Sequence, residues 1–187
     1  MSMPMLKRQW TVADLEDLPD DGNRYEVIDG ELFVTPAPAL RHQRAVGELY
    51  LILTAYLNVQ HVGYAVVAPA DITFSSKRLV QPDVFAIPPF EGRFPKSFEQ
   101  VRQLLLAVEV LSPSTARADR VVKRKLFREE RVPEYWIVDL DSRTIERTTP
   151  DELRPEILSE RLTWLPDGAT EPLEIDLAAY FGRVLDD

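Results

Sequence analysis

Two acidic residues and one lysine are the residues of this sequence best suited to chemistry: Asp83, Glu109 and Lys123. Asp83 follows a proline in a predicted strand, and Glu109 interrupts the apolar run of residues 104–111. That run predicts a strand buried on both faces. Burying an unpaired carboxylate costs several kcal/mol, so such groups are normally paired or bound to a metal. Glu109 is therefore either a metal ligand or a buried acid that a neighbouring arginine neutralises.

Asp83 and Glu109 lie on consecutive predicted strands, and neighbouring strands are only about 4.8 Å apart. Their carboxylates can therefore converge on one divalent ion. Oxygen ligands of this kind suit Mg²⁺ or Mn²⁺, which usually keep several waters and also contact substrate phosphate. A lysine beside such an ion orients or deprotonates the attacking water and offsets phosphate charge. This set of groups is suited to the hydrolysis of phosphodiester bonds.

The lysine of this set lies in the basic helix predicted after the buried strand. At roughly 100° per residue, Lys123 projects towards the sheet between the apolar residues Leu126 and Phe127, whereas Lys125 projects from the flank. A lysine that faces inwards needs a carboxylate partner or a function. The alternative is a local ion pair between Asp119 and Lys123 at (i, i+4), worth a few tenths of a kcal/mol.

The same predicted helix is basic, although the chain as a whole is acidic. Residues 117–131 contain seven Lys or Arg and three acids, whereas the whole chain has a net charge of -9. We expect Arg120, Arg124 and Lys125 to contact nucleic-acid phosphates, unless they form an ordinary solvated helix face.

Two further residues are accessory candidates for the site. His42 opens a predicted helix and is either an N-cap neighbour or a substrate contact. Glu31 is either a hairpin residue or an extension of the acidic site.

Composition limits the class of protein. A chain of 187 residues with 45% hydrophobic residues suits one globular domain. The absence of cysteine excludes disulfides and zinc–thiolate sites. No apolar stretch is long enough for a membrane span, and we expect a cytoplasmic protein without membrane contact. The net charge has the wrong sign for a nucleic-acid coat protein, but one local basic patch and a metal are compatible with it.

Hydrophobic periodicity and turn residues predict the order of the elements. We expect a loose leader over residues 1–10, a helix over 12–18, a hairpin over 25–34, a helix over 42–59, strands over 63–74 and 79–87, a proline-rich loop over 88–96, strands over 104–111, 133–139 and 144–149, a hairpin near 166–168 and a closing helix over 176–184. This pattern predicts a single α/β or α+β domain, residues 1–187, with a mixed β-sheet flanked by helices. Its core spans about residues 10–150, and residues 151–187 form an extension.

Several motifs, taken together, resemble those of a known family. They are YEVIDGEL at 25–32, RHQ at 41–43, VQPDV at 80–84, VEVLSPST at 108–115, DRVVK at 119–123 and PEYWIVD at 133–139. The sequence resembles the PD-(D/E)XK nuclease superfamily and, more closely, the bacterial Uma-type restriction-endonuclease-like proteins. In one respect it departs from the superfamily: the usual lysine two residues after the Glu would fall at Leu111, and in this family it looks displaced onto the next helix, at Lys123.

The resemblance implies a restriction-endonuclease-like fold with Mg²⁺, or Mn²⁺, at Asp83 and Glu109. It further implies an endonuclease that cuts double-stranded DNA with Lys123 as the third catalytic residue, and cleavage of both strands favours a homodimer. Two other interpretations stay open. One is a nuclease fold without activity that serves as a binding or scaffold module, which the acidic net charge favours. The other is hydrolysis of a different phosphodiester, such as RNA or a nucleotide.

Overall fold

A computed structural model of the chain describes residues 9–185. The predicted leader, residues 1–10, lies outside the described residues except for its last two. Among the helices of residues 9–185, none is both long and apolar enough to cross a membrane.

Two larger β-sheets and three α-helices form the framework of residues 9–185. The four-stranded sheet has the order β2-β1-β5-β4 and contains β1 (Arg24–Ile28), β2 (Glu31–Thr35), β4 (Ile72–Ser75) and β5 (Arg78–Val80). The six-stranded sheet has the order β10-β9-β8-β7-β6-β3 and contains β3 (Tyr64–Val67), β6 (Val84–Ile87), β7 (Leu106–Val110), β8 (Tyr135–Asp139), β9 (Thr144–Thr148) and β10 (Glu156–Leu158). Only the β7–β8 pair is parallel among the strand pairs of the described chain.

The remaining elements flank or extend these sheets. They are the 3₁₀ turns Val12–Asp17 and Phe98–Gln100, α1 (Leu40–Gln60), a π-helical segment (Ala118–Lys123) that continues into α2 (Arg124–Glu129), the β11–β12 hairpin (Arg161–Trp164 and Leu173–Asp176) and α3 (Leu177–Leu185). This arrangement confirms the predicted fold class, a mixed β-sheet flanked by helices.

One face of the six-stranded sheet packs against α1 and the C-terminal elements. Leu49, Leu53 and Leu57 recur at intervals of four on α1 and are fully buried there. The Tyr180 hydroxyl of α3 donates a hydrogen bond of 3.0 Å to the carbonyl of Ala45 on α1. Residues 161–185 contribute seven buried side chains to this core: Leu162, Trp164, Ile175, Leu177, Tyr180, Phe181 and Val184. The predicted extension thus packs into the same core as the rest of the domain.

The opposite face of the six-stranded sheet packs against α2 and the four-stranded sheet. Leu126 and Phe127 of α2 are buried there beside Ala107 of β7. Because side chains alternate along a strand, Val108 and Val110 face the α1 side and Glu109 faces the α2 side. The pleat of β7 therefore directs the one carboxylate of this strand towards the helix that carries Lys123.

Two predicted strands are each divided in the structure. The predicted strand 63–74 is β3 and β4, which belong to different sheets and are separated by a segment with a cis peptide bond between Ala68 and Pro69. The predicted strand 79–87 is β5 and β6. The Gln81 N–H donates to Glu26 Oε1 at 2.7 Å instead of to a strand, and Pro82 has no N–H to donate. The ladder stops there, and Asp83 lies just before β6 rather than within a strand.

The central stretch also differs in its boundaries. The strand predicted over residues 104–111 is the shorter β7, Leu106–Val110. The basic helix is π-helical from Ala118 to Lys123. The helix predicted over residues 12–18 is a 3₁₀ turn.

Candidate active site

Asp83 lies where β6 begins, beside the end of β7. These strands are antiparallel and Val84 pairs with Val108, so one further step of the register places Asp83 opposite Glu109. Its Oδ1 lies 2.7 Å from Arg24 Nη1. Its Oδ2 accepts a hydrogen bond of 2.9 Å from the Val110 N–H and lies 3.1 Å from His42 Nε2.

These contacts keep Asp83 ionised although the residue is only 3% exposed. Burial alone would raise the pKa of its carboxyl group. The hydrogen bond with His42, the charge of Arg24 and the Val110 N–H outweigh burial and hold that pKa well below its usual range. The site thus presents one carboxylate that stays charged at neutral pH.

Lys123 lies at the centre of three other carboxylates. Its Nζ is 2.8 Å from Glu109 Oε1, 2.9 Å from Glu26 Oε2 and 3.7 Å from Asp119 Oδ1. Burial alone would lower the pKa of Lys123, but the charges of Glu109, Glu26 and Asp119 outweigh burial and raise it. The side chain is therefore an ammonium that donates hydrogen bonds.

The π-helical segment turns Asp119 and Lys123 to the same buried side. They are 1% and 3% exposed, respectively. A π-helix closes its hydrogen bonds over five residues rather than four, and such segments are frequent at functional sites. The Tyr135 hydroxyl of β8 donates to the carbonyl of Asp119 at 3.2 Å, which ties the segment to the sheet. The local pair between Asp119 and Lys123 expected from the sequence exists, but it is the longest of the three contacts of Lys123.

Burial strongly disfavours the charged form of Glu109. Burial raises the pKa of its carboxyl group well above the usual value, and the charges of Asp83, Asp119 and Glu26 add to this effect, while Lys123 opposes it. The four buried acids share two permanent cations, Lys123 and Arg24. If all these groups are ionised, two negative charges remain without a partner cation.

The Asp83, Glu109 and Lys123 side chains meet at a cavity of about 200 Å³. One wall is the loop before α1, residues 35–39, and another is the turn after β7, with Ser112, Ser114 and Thr115. Arg24 of β1, His42 of α1 and Val110 of β7 complete the lining. In that turn the Ser112 and Thr115 hydroxyls lie 3.0 Å apart. A larger groove of about 1040 Å³ between β4 and residues 98–105 contains none of the predicted site residues.

The donor set at the cavity fits a hard divalent cation. Mg²⁺ is usually held by one or two carboxylates and completes its shell with water and substrate phosphate. Asp83 and Glu109 supply two carboxylates, and the two negative charges that remain when all four buried acids are ionised match the charge of one such ion. Within residues 9–185 no group of three or more His, Cys, Asp or Glu is arranged to hold a metal by itself. The fit therefore depends on these two carboxylates together with water or phosphate.

The other predicted site residues divide into two groups. His42 lines the cavity. Glu31 is exposed on β2 and does not line the cavity. Arg120, Arg124 and Lys125 do not line the cavity either. They form ion pairs: Arg120 with Asp139 at 2.9 Å and Glu146 at 2.6 Å, Arg124 with Glu146, and Lys125 with Glu129 at 3.0 Å and Asp29 at 3.5 Å. Their contact with nucleic acid stays a prediction.

Sequence reasoning missed Arg24 and Glu26. Both lie on β1, at alternate positions that share a face with buried Ile28. The alternation puts a carboxylate and a guanidinium on one face of β1 with Ile28, but it does not show that this face points inwards.

The mixed sheet brings a buried Asp, Glu and Lys to one cavity, as the resemblance of the sequence to restriction-endonuclease-like proteins implies. The chain belongs to the Uma2 family, described as "Putative restriction endonuclease", whose model matches residues 12–178. A crystal structure of a "putative nuclease" from Anabaena variabilis has the same fold, with a TM-score of 0.78 and 19% identity over 94% of this chain and 99% of that one. No curated protein matches the sequence. Family and fold together support a nuclease role.

Proposed function

We propose that this chain is a metal-dependent endonuclease that hydrolyses phosphodiester bonds in DNA. The observation that supports this most directly is the 2.8 Å contact between Lys123 Nζ and Glu109 Oε1 beside a cavity that Asp83 also lines. A buried acid and a buried lysine at the same opening form an unusual and costly arrangement in a protein interior. Catalysis of phosphodiester hydrolysis is a reason for the fold to keep it.

Asp83 and Glu109 are the residues that would hold Mg²⁺ or Mn²⁺. The ion supplies Lewis-acid stabilisation of the charge that develops on the phosphate. Lys123 is kept protonated by its three carboxylate neighbours, so it cannot accept a proton. It donates hydrogen bonds instead, which orient the Glu109 carboxylate and the attacking water.

The cavity walls suit the phosphate itself. The hydroxyls of Ser112, Ser114 and Thr115 are hydrogen-bond donors on the wall that follows β7. Farther out, Lys125 has a side chain that is 55% exposed and can contact the backbone of the nucleic acid. Arg120 and Arg124 already contact Glu146, so a carboxylate partly neutralises their charges before any nucleic acid binds.

Two copies of this site are needed to cut both strands of a duplex at one place, so the proposal includes a homodimer. Sedimentation equilibrium of the protein, alone and with a short duplex, measures its mass. A monomer under both conditions contradicts this part of the proposal and leaves single-strand nicking as the activity.

The enzyme proposal is tested by calorimetric titration of Mn²⁺ into the wild type and Asp83→Asn, followed by cleavage of supercoiled plasmid DNA. We expect Asn at position 83 to abolish Mn²⁺ binding. Glu109→Gln is expected to reduce cleavage about a hundredfold or more, since it removes an ionic group from the reacting centre. Glu174→Gln, an exposed acid on β12, is the matched control and should cleave like the wild type.

A scaffold without activity is the second candidate, and one observation favours it. Both oxygens of Asp83 already have partners, namely Arg24, His42 and the Val110 N–H. If Mn²⁺ fails to bind both alone and with a duplex present, the scaffold is the better interpretation. Cleavage of an RNA duplex but not of DNA would instead keep the enzyme and change its substrate.

A further inference from the structure

Arg24 holds Asp83 through one nitrogen. Its Nη1 lies 2.7 Å from Asp83 Oδ1 and 3.3 Å from the carbonyl of Gln81. Within the described chain, both hydrogen bonds of this guanidinium come from Nη1, although an arginine has donors on three nitrogens. The side chain is 18% exposed and lines the cavity.

Other arginines of the chain are held more completely. Arg78 uses Nε, Nη1 and Nη2 on three different carboxylates, at 2.7, 2.6 and 2.6 Å. Arg120 uses Nε and Nη2 on two carboxylates. Multidentate contacts of this kind fix a guanidinium in position. Arg24 lacks them, so fewer hydrogen bonds must break when its contact with Asp83 is exchanged.

The distribution of charge supports the same conclusion. Asp83 has Arg24, His42 and a backbone N–H around it, whereas Glu109 shares Lys123 with Glu26 and Asp119. A divalent ion between Asp83 and Glu109 would bring positive charge close to Arg24, and the two cations would repel each other. A phosphate in the same cavity would attract Arg24, because a guanidinium matches phosphate oxygens well.

We propose that Arg24 is an exchangeable counter-ion. It neutralises Asp83 while the site lacks a metal, leaves when a divalent cation binds, and then contacts the phosphodiester beside the scissile bond. This inference rests on the proposed function, since it requires that Asp83 binds a metal. It assigns Arg24 two opposite effects: it weakens metal binding in the free protein and strengthens the binding of the substrate phosphate.

The test is calorimetric titration of Mn²⁺, without nucleic acid, into the wild type, Arg24→Met and Arg161→Met. Arg161 is 67% exposed on β11 and pairs with Glu174, so its variant controls for the loss of one positive charge from the chain. We expect Arg24→Met to bind Mn²⁺ about tenfold or more tightly than the wild type, because a charge-assisted hydrogen bond no longer competes for Asp83. Arg161→Met should bind like the wild type.

Plasmid cleavage at saturating Mn²⁺ gives the second readout. Arg24→Met should raise the KM for DNA about tenfold or more, and Arg24→Lys should recover part of the loss because it restores a positive charge. Thermal denaturation of each variant shows whether it is folded.

The outcomes separate this inference from the proposed function. If folded Arg24→Met binds Mn²⁺ no more tightly than the wild type, and Asp83→Asn loses Mn²⁺ binding as expected, the counter-ion role is overturned and the metal site stands. If Arg24→Met binds Mn²⁺ and the wild type does not, the result strongly supports the inference. If neither the wild type nor Arg24→Met binds Mn²⁺, even with a duplex present, both the metal site and the inference are overturned.

Discussion

Lys123 is the residue on which the buried cluster depends. Glu26, Glu109 and Asp119 come from a hairpin, a central strand and a π-helical segment, and their carboxylates meet only at its ammonium group. A buried charge is tolerated where partners of opposite sign and hydrogen bonds compensate its lost hydration. Because three acids share this cation, the lysine matters more to the fold than any one of the acids.

Lys123→Met should destabilise the protein by about 3–5 kcal/mol, because it leaves three buried carboxylates without their shared cation. Lys125→Met is the matched control: this lysine is 55% exposed, and we expect a cost of at most about 1 kcal/mol. Urea denaturation followed by circular dichroism measures both free energies of unfolding. Equal stability of the two variants would mean that the buried Lys123 contributes no more to stability than the exposed Lys125.

The site residues that the sequence revealed are those in unusual surroundings. Glu109 interrupts an apolar run, and Lys123 lies on the apolar side of its helix. Arg24 and Glu26 were missed because their hairpin looks like any surface hairpin. Their inward direction depends on the pairing of β1 with β5, in which Val27 meets Leu79, and a contact over such a distance leaves no local pattern.

The boundaries of helices and strands also depend in part on contacts between distant residues, which local sequence patterns do not show. Local sequence signals revealed α1 through its apolar stripe, the hairpin through the turn Asp29-Gly30 and the central strand β7 through its apolar run. The divisions of 63–74 and 79–87 fall at Pro69-Ala70-Asp71 and at Gln81-Pro82-Asp83, and these local breaks do not show that the chain passes from one sheet to the other. The second division occurs where the Gln81 N–H turns to Glu26, and this side chain comes from a distant part of the chain.

The turn between β8 and β9 is organised by one carboxylate. Asp139 Oδ1 accepts hydrogen bonds from the N–H groups of Asp141 at 3.0 Å and Ser142 at 3.1 Å, and Oδ2 accepts one from Arg120 at 2.9 Å. Burial alone would raise the pKa of Asp139, but the hydrogen bonds from Ser142, Arg120 and Asp141 outweigh burial and lower it.

Asp139→Asn should therefore reduce stability in a pH-dependent way. A carboxyl group whose pKa falls on folding contributes stability above its unfolded pKa, about 3.9, and this contribution is lost as the pH falls through the folded value. We expect the variant to lose about 1–2 kcal/mol at pH 7, and the difference from the wild type to shrink below about pH 4. Urea denaturation at pH 7, 5, 4 and 3 measures it. A difference that stays constant over this range would show that the charge of Asp139 has no part in the effect.

At the scale of the whole molecule, the question is whether residues 10–150 can fold without the C-terminal elements. In the structure, Trp164 of β11 is 1% exposed and its ring packs edge-to-face on Trp136 of β8, with ring centroids 5.8 Å apart. The α3 helix covers α1 through Tyr180 and through an ion pair of 3.0 Å between Arg183 and Glu48. The C-terminal elements thus form one wall of the core, and α1 would lose its cover without them.

Deletion of residues 160–187 should abolish cooperative folding. It exposes the α1 side of the six-stranded sheet, including Trp136, and removes seven buried side chains, far more than a net stability of about 5–15 kcal/mol tolerates. Tyr180→Phe is the local control: it removes one hydrogen bond and should cost only about 1–3 kcal/mol while the transition stays sharp. Calorimetry and near-ultraviolet circular dichroism distinguish the two results. A sharp unfolding transition in the truncated chain would show instead that residues 10–159 are an independent unit, and that the C-terminal elements were added to a core that was already complete.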